Sequence, residues 1–271
     1  MKIITWYYPK NVAEAAILSE SDKVFLHGGG TGLLMGGLKG VEGLIHLGNL
    51  PLKTIIIEKD ILTFGSLCTY GDILSKLKIV APEHLLVQAL THSASTPLRN
   101  RITLGGSLSM APPWSDLLGP LMALDAHLTL EGKSRGEYSV GDYLTQKELR
   151  AGSLITSVKI PLDCGLCAHY REVRSQRDMP IFTLTVILKT EKEKISHVRL
   201  LAVGTHSKFT RMNDLESWLQ GQSLKQVNGV EIEKRCHLSF GKKPGTDPNY
   251  LSVKSAIELG RIIERLIGNA V

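Results

Sequence analysis

Three consecutive glycines, Gly28-Gly29-Gly30, follow directly on the apolar run Lys23–Leu26 and are followed by Thr31-Gly32-Leu33-Leu34. Nothing else in the chain restricts the local fold so strongly. A strand that runs into residues without Cβ can turn through backbone angles that other residues resist, and its amides can converge on one point. An anion fits such a concavity, and a diphosphate reaches the bare backbone unobstructed. The Thr31 hydroxyl adds one more donor. The loop lacks the Gly-Lys-Ser/Thr ending of a nucleoside-triphosphate loop, and the pair Gly28-x-Gly30 is followed by Leu33 rather than a third spaced glycine. A plain surface turn is the alternative reading.

A second paired glycine lies in Arg99-Asn100-Arg101-Ile102-Thr103-Leu104-Gly105-Gly106-Ser107-Leu108, and Ser115-Asp116 opens a further helix. Two such turns can close on one diphosphate from opposite sides. A carboxylate beside a diphosphate repels it, so Asp116 suits neutral hydroxyls, or is simply a helix cap.

Around these turns the chain reads as short strands and helices mixed at close intervals, which points to α+β rather than a regular doubly wound sheet. The spacing predicts helices over 12–18, 70–77, 83–91 and 117–124. It predicts strands over 23–26, 44–47, 54–58, 61–66, 127–131 and 156–160. A change falls near residue 161, where Pro161-Leu162-Asp163-Cys164-Gly165 reads as a linker. Beyond it come strand-like runs at 181–190 and 198–204, then helices at 213–219 and 249–267, the last with one apolar face.

Charge excludes several functions. Residues 1–160 hold 15 Lys and Arg against 14 Asp and Glu, and the remainder 17 against 12, with no basic run interleaved with aromatics, so nucleic acid is not the expected partner. The C-terminal surplus is a solvated surface or a docking face for an acidic partner. No stretch reaches the roughly 20 apolar residues of a membrane span, and the first residues carry no long apolar segment, so a cytoplasmic protein is expected. Cys164 and Cys167 have the spacing of a metal-ligand pair, but no second such pair exists among the four cysteines, so they are expected to be small residues in a linker. His84, His92 and His127 stand singly and are expected to be structural. No acid–base dyad or nucleophile motif stands out, and no catalytic residue or metal ligand is assigned.

Six motifs in register, His27–Leu34, Arg99–Leu108, Ser115-Asp116, Ala123-Leu124-Asp125-Ala126, Leu154–Pro161 and Tyr170–Asp178, span almost the whole chain. In this order they resemble the FAD-binding medium subunit of the molybdenum hydroxylases, the family of xanthine dehydrogenase and carbon monoxide dehydrogenase. The resemblance implies an FAD domain of the two-subdomain PCMH/vanillyl-alcohol-oxidase type over 1–162, its subdomains about 1–58 and 59–162. A C-terminal α/β domain with a small antiparallel sheet and helices would follow over 163–271. It further implies that Leu26, His27, Gly28, Gly29, Gly30, Thr31, Gly32, Leu33, Gly105, Gly106 and Ser107 bind FAD, with its diphosphate on Gly28–Leu33 and Gly105-Gly106. Thr103 would face the flavin side, Asp116 would hold polyol hydroxyls, Ile155 would pack on the cofactor, and Arg171 would reach it from the second domain. Gly32, Ser107, Arg171 and Gln176 depart from the family's usual residues; Arg171 keeps the positive charge on a longer, planar group.

The partners so implied are a molybdopterin-binding large subunit, where substrate is oxidised, and a 2Fe–2S small subunit that feeds electrons to the flavin. NAD is one acceptor among several. The chain lacks a cysteine framework for 2Fe–2S clusters of its own. Two other readings use the same residues: a flavin-free structural subunit of such a complex, and a stand-alone flavin oxidoreductase.

Overall fold

In the computed structural model, which describes residues 3–176 and 178–268, the strands fall into three sheets. β1 (Thr5–Tyr7), β2 (Val24–His27) and β3 (Gly43–His46) are parallel, in the order β1-β3-β2. Parallel strands of one sheet need a crossover, and the helix Val12–Leu18 provides it between β1 and β2, which flank β3. Asn11 caps that helix, its side chain accepting from the Glu14 amide at 2.9 Å. Ala15 on the helix joins Ile45, Leu47, Leu50, Leu52 and Leu154 in one core, with Leu26 packed beside them.

A second sheet contains β4 (Ile55–Glu58), β5 (Ile61–Gly65), β6 (His127–Gly132), β7 (Gly136–Ser139) and β8 (Ser153–Pro161). All are antiparallel, in the order β4-β5-β8-β6-β7. The expected pairing of the Ile55–Ile57 run with the strand after it is present, Ile56 facing Thr63. Ile155 sits on β8 opposite Leu130 and is buried.

The third sheet holds β9 (Leu166–Glu172), β10 (Phe182–Glu191), β11 (Lys194–Thr205) and β12 (Lys208–Arg211), antiparallel in the order β12-β11-β10-β9. Phe182, Leu184, Val186 and Leu188 alternate along β10 into a core shared with Leu251, Leu259 and Ile263 of the long helix Pro248–Gly268. Thr183, Thr185 and Ile187, on the opposite face of β10, are buried as well. There the helix Leu118–Ala123 lies so close that a Cβ on Gly119 would stand 2.8 Å from Thr185 Oγ1. A strand covered on both faces reads as a continuous apolar run, and this is why β10 is conspicuous in the sequence.

The chain divides into two units. One ends its first stretch at Pro82 and resumes over Ala94–Ala111 and Asp125–Leu162; the other is Glu83–Ser93, Pro112–Leu124 and the chain from Asp163 onward. The helices Leu85–Thr91 and Leu118–Ala123 thus belong to the unit of the third sheet.

Two expectations are corrected. The turn at Gly105-Gly106 is helical: Leu104–Met110 is a helix, because Thr103 caps it and its first amides find acceptors in Cys68 and Ser66. The linker stands at 162–165 as expected, but Cys167 does not lie in it: β9 begins at Leu166 and contains Cys167. Of the Tyr170–Asp178 motif, residue 177 lies outside the described residues.

Candidate functional site

The first glycine loop leaves the end of β2 and becomes the helix Thr31–Gly36, with Gly30 between them at φ +76°. A left-handed residue at that point reverses the chain at little cost only if it lacks Cβ. A helix start leaves its first amides without intrahelical acceptors. Among the described residues, no carbonyl or side chain accepts from the amides of Gly28, Gly29, Gly30, Thr31, Gly32 or Leu33; the first to be satisfied is Leu34, which donates to Gly30 at 3.1 Å.

The second turn meets this loop. A Cβ on Gly29 would lie 1.6 Å from the Arg101 carbonyl oxygen, and one on Gly28 would lie 3.2 Å from Thr103 Oγ1. No side chain fits at position 29 with the two backbones this close. Arg101 completes the join: its Nη2 donates to the Gly29 carbonyl at 3.2 Å. Thr103 is buried, and its Oγ1 accepts from the Gly106 amide at 3.2 Å. The Leu104 amide donates to Cys68 and the Gly105 amide to Ser66, at 2.9 and 2.8 Å. Ser107 donates its hydroxyl back to the Thr103 carbonyl at 3.0 Å. The amides of this second turn are therefore already paired within the chain.

His27 ends β2 beside the loop. Its ring lies 6.1 Å from that of His46 and 5.0 Å from that of Trp6, and its Nδ1 is buried with no partner among the described residues. Burial, together with nearby charge on His46 and Arg101, holds its imidazole below the ordinary 6.5. Ser66 also buries a hydroxyl with no partner among the described residues, and its Cβ would be 2.8 Å from a Cβ on Gly105. Sequence reasoning missed Ser66; a lone serine after a strand carries no signal until its neighbours are known.

Asp116 and Arg171 lie in the other unit, paired with each other. Arg171 Nε donates to Asp116 Oδ1 at 2.7 Å, and its Nη2 to the Asp178 carbonyl at 3.3 Å. His169, its side chain fully buried, places Nε2 3.5 Å from the same Oδ1 and Nδ1 3.1 Å from Thr185 Oγ1. Ser115, not Asp116, caps the following helix: its Oγ accepts from Leu117 and Leu118. Among the histidines, His84 is a structural cap, its Nδ1 accepting from the Leu86 amide at 3.1 Å. No cluster of three metal-ligating side chains occurs among the described residues.

Open amides and bare glycines stand at the end of a parallel strand, next to a second glycine turn, with the donors an anion requires. Residues 2–163 match the model of a known family, the FAD binding domain in molybdopterin dehydrogenase, and the chain belongs to that family. FAD is the cofactor of that domain. The chain is similar to the nicotine 6-hydroxylase medium subunit of Paenarthrobacter nicotinovorans, 31% identical over 67% of this chain and 66% of the relative. It is also similar to the carbon monoxide dehydrogenase medium chain of Hydrogenophaga pseudoflava, 26% identical over 81% of this chain and 80% of the relative. In fold it resembles quinoline 2-oxidoreductase from Pseudomonas putida 86, with a TM-score of 0.85 and 20% identity over 99% of this chain and 98% of that one. The matched part thus spans just under two thirds of the first of these relatives and four fifths of the second. No described helix is long and apolar enough to cross a membrane.

Proposed function

We propose that this chain is the FAD-binding, electron-transferring medium subunit of a molybdenum hydroxylase complex. Electrons would arrive from 2Fe–2S clusters on a small partner subunit, after substrate oxidation on a molybdopterin-binding large subunit, and would leave to an acceptor such as NAD. The reading places the complex in the cytoplasm and the flavin domain at 1–162, followed by the C-terminal domain at 163–271. The observation that carries it is the set of open amides from Gly28 to Leu33.

When bound, FAD supplies one-electron and two-electron redox chemistry. The protein's own residues bind and orient it. The amides of 28–33 present neutral donors to a diphosphate, and each hydrogen bond to a charged group contributes about 1.5–3 kcal/mol. The contact of Gly29 with Arg101 fixes the loop in shape before any ligand arrives, so less ordering cost falls on binding. Gly105, Gly106 and Ser107 act mainly by holding Thr103 and Ser66 in place, and those two hydroxyls are the polar groups this second turn can offer. Ile155 stays a packing residue. For Asp116 the assigned role is a polyol hydroxyl at Oδ2, since Oδ1 is taken by Arg171 and His169. Arg171 fixes the orientation of that carboxylate through its Nε–H donor.

Purification of the intact complex through a tag on this chain tests the reading. The expected result is about one FAD per chain, together with an iron–sulfur subunit and a molybdopterin subunit. A chain that is isolated alone, colourless and unable to take up added FAD contradicts it.

A further inference from the structure

Where a linker was expected, two thiols meet. Cys164 precedes β9 and Cys167 is the second residue of that strand. Gly165 between them has φ +66°, and a Cβ there would stand 2.7 Å from the Leu188 carbonyl oxygen. The turn therefore requires glycine, and it brings the two Sγ atoms to 3.4 Å. Closing that gap to the roughly 2.05 Å of a disulfide takes a small local movement. Both residues are nearly enclosed, at 7% and 9% exposure, so only a small reagent reaches them.

The surroundings make the two sulfurs unequal. The hydrogen bond from Cys167, helped by the Leu85 amide, pulls the Cys164 thiol down to about 7 against its burial and the nearby charge of Asp163. The same hydrogen bond and burial push the Cys167 thiol up, with Glu83 adding to the effect. Gln88 Nε2 donates to Cys167 at both its carbonyl and its Sγ, at 3.2 and 3.4 Å, and the Glu83 carbonyl, 3.6 Å from the Cys167 Sγ, is the alternative acceptor for its one S–H. One thiol is thus poised as a nucleophile and its neighbour is held as a protonated partner.

We propose that Cys164 and Cys167 form a redox-active dithiol that a peroxide converts to an intramolecular disulfide. The Cys164 thiolate attacks one peroxide oxygen; an S–O bond forms, the O–O bond breaks, and the departing oxygen takes a proton. The Cys167 sulfur then attacks the Cys164 sulfur; the S–S bond forms, the S–O bond breaks, and hydroxide leaves with the Cys167 proton as water. Two thiols give up two electrons and two protons, and one hydroperoxide becomes water plus an alcohol, or two waters from hydrogen peroxide.

The other two cysteines are internal controls. Burial pushes the thiols of Cys68 and Cys236 up to about 11, and Cys68 donates to the Thr54 carbonyl at 3.2 Å. The full native chain is treated with one equivalent of hydrogen peroxide, quenched, denatured, alkylated and mapped by mass spectrometry. Free thiols should fall from four to two. The loss should appear as a Cys164–Cys167 cross-linked peptide that dithiothreitol reverses. Cys167→Ser should accumulate a sulfenic acid at Cys164, trapped by dimedone. Cys164→Ser should slow oxidation at Cys167 by more than about tenfold. Retention of all four thiols, loss spread over Cys68 and Cys236, or cross-links between chains would overturn the proposal. The map of the unsubstituted chain decides the matter even if a variant folds poorly.

Discussion

At Gly28–Leu33 the backbone amides have no acceptor among the described residues, whereas those of Leu104–Ser107 are each paired, with Cys68, Ser66, Thr103 Oγ1 and the Thr103 carbonyl. The glycines of the two turns serve different ends. In the first they keep Cβ atoms away from a row of open donors and let the Arg101 carbonyl approach Gly29. In the second they let a helix press against Ser66. The same residue type in the same short pattern borders open donors in one place, the cradle of the proposed function, and allows close packing in the other. The state of the amides tells them apart.

That contrast can be broken by substitution. The largest effect should come from Gly29→Val, because no side chain fits beside the Arg101 carbonyl. Urea unfolding should show a loss of about 3 kcal/mol or more, with FAD absorbance gone. Retained FAD with unchanged stability would mean that the loops do not meet as described. Next, Gly105→Ala places a Cβ 2.8 Å from that of Ser66. It should destabilise by about 1–3 kcal/mol while the folded fraction still binds FAD, as titration of the flavin absorbance would show. If affinity falls and stability does not, the second turn is a direct ligand site.

Gly32→Ala is the cleaner probe of the first loop. The new methyl meets only the flexible end of Met110, at 2.9 Å from Sδ, and position 32 is not left-handed. Stability should stay within about 0.5 kcal/mol, and FAD affinity should fall about tenfold, the equivalent of one charge-assisted hydrogen bond. Equal affinity would remove position 32 from the cradle. The smallest effect concerns pH. His27 binds its proton more weakly folded than unfolded, so its contribution to stability is complete above about pH 6.5 and is lost as pH falls through the folded value. His27→Gln should flatten the fall in unfolding free energy between neutral and mildly acid solution. A slope that does not change would show that His27 takes no part in it.

Much of the frame is legible in the sequence because it obeys local rules. The helix Val12–Leu18 announces itself by Asn11 and spacing, and β10 by an apolar run long enough to be buried on both faces. The helix Leu104–Met110 is not legible, since two adjacent glycines disfavour helix. It forms because the Thr103 cap and the Ser66 and Cys68 carbonyls override that preference. β1, β7 and β12 read Thr-Trp-Tyr, Gly-Glu-Tyr-Ser and Lys-Phe-Thr-Arg, with no aliphatic run of the kind that marks β3 and β4. The pairing of Asp116 with Arg171, and the membership of Glu83–Ser93 and Pro112–Leu124 in the second unit, rest on neighbours far apart in the chain, which no local pattern encodes. The convergence of Cys164 and Cys167 depends on the left-handed Gly165, and from spacing alone the pair looked like filler in a linker.

Amide hydrogen exchange of the intact chain, followed by mass spectrometry with and without saturating FAD, reads the donors themselves. Residues 28–33 should exchange quickly without the cofactor and become strongly protected with it, while 104–107 are protected in both states. Protection by FAD that spares 28–33, or that appears first at 104–107, would contradict the assignment of the diphosphate to the open loop.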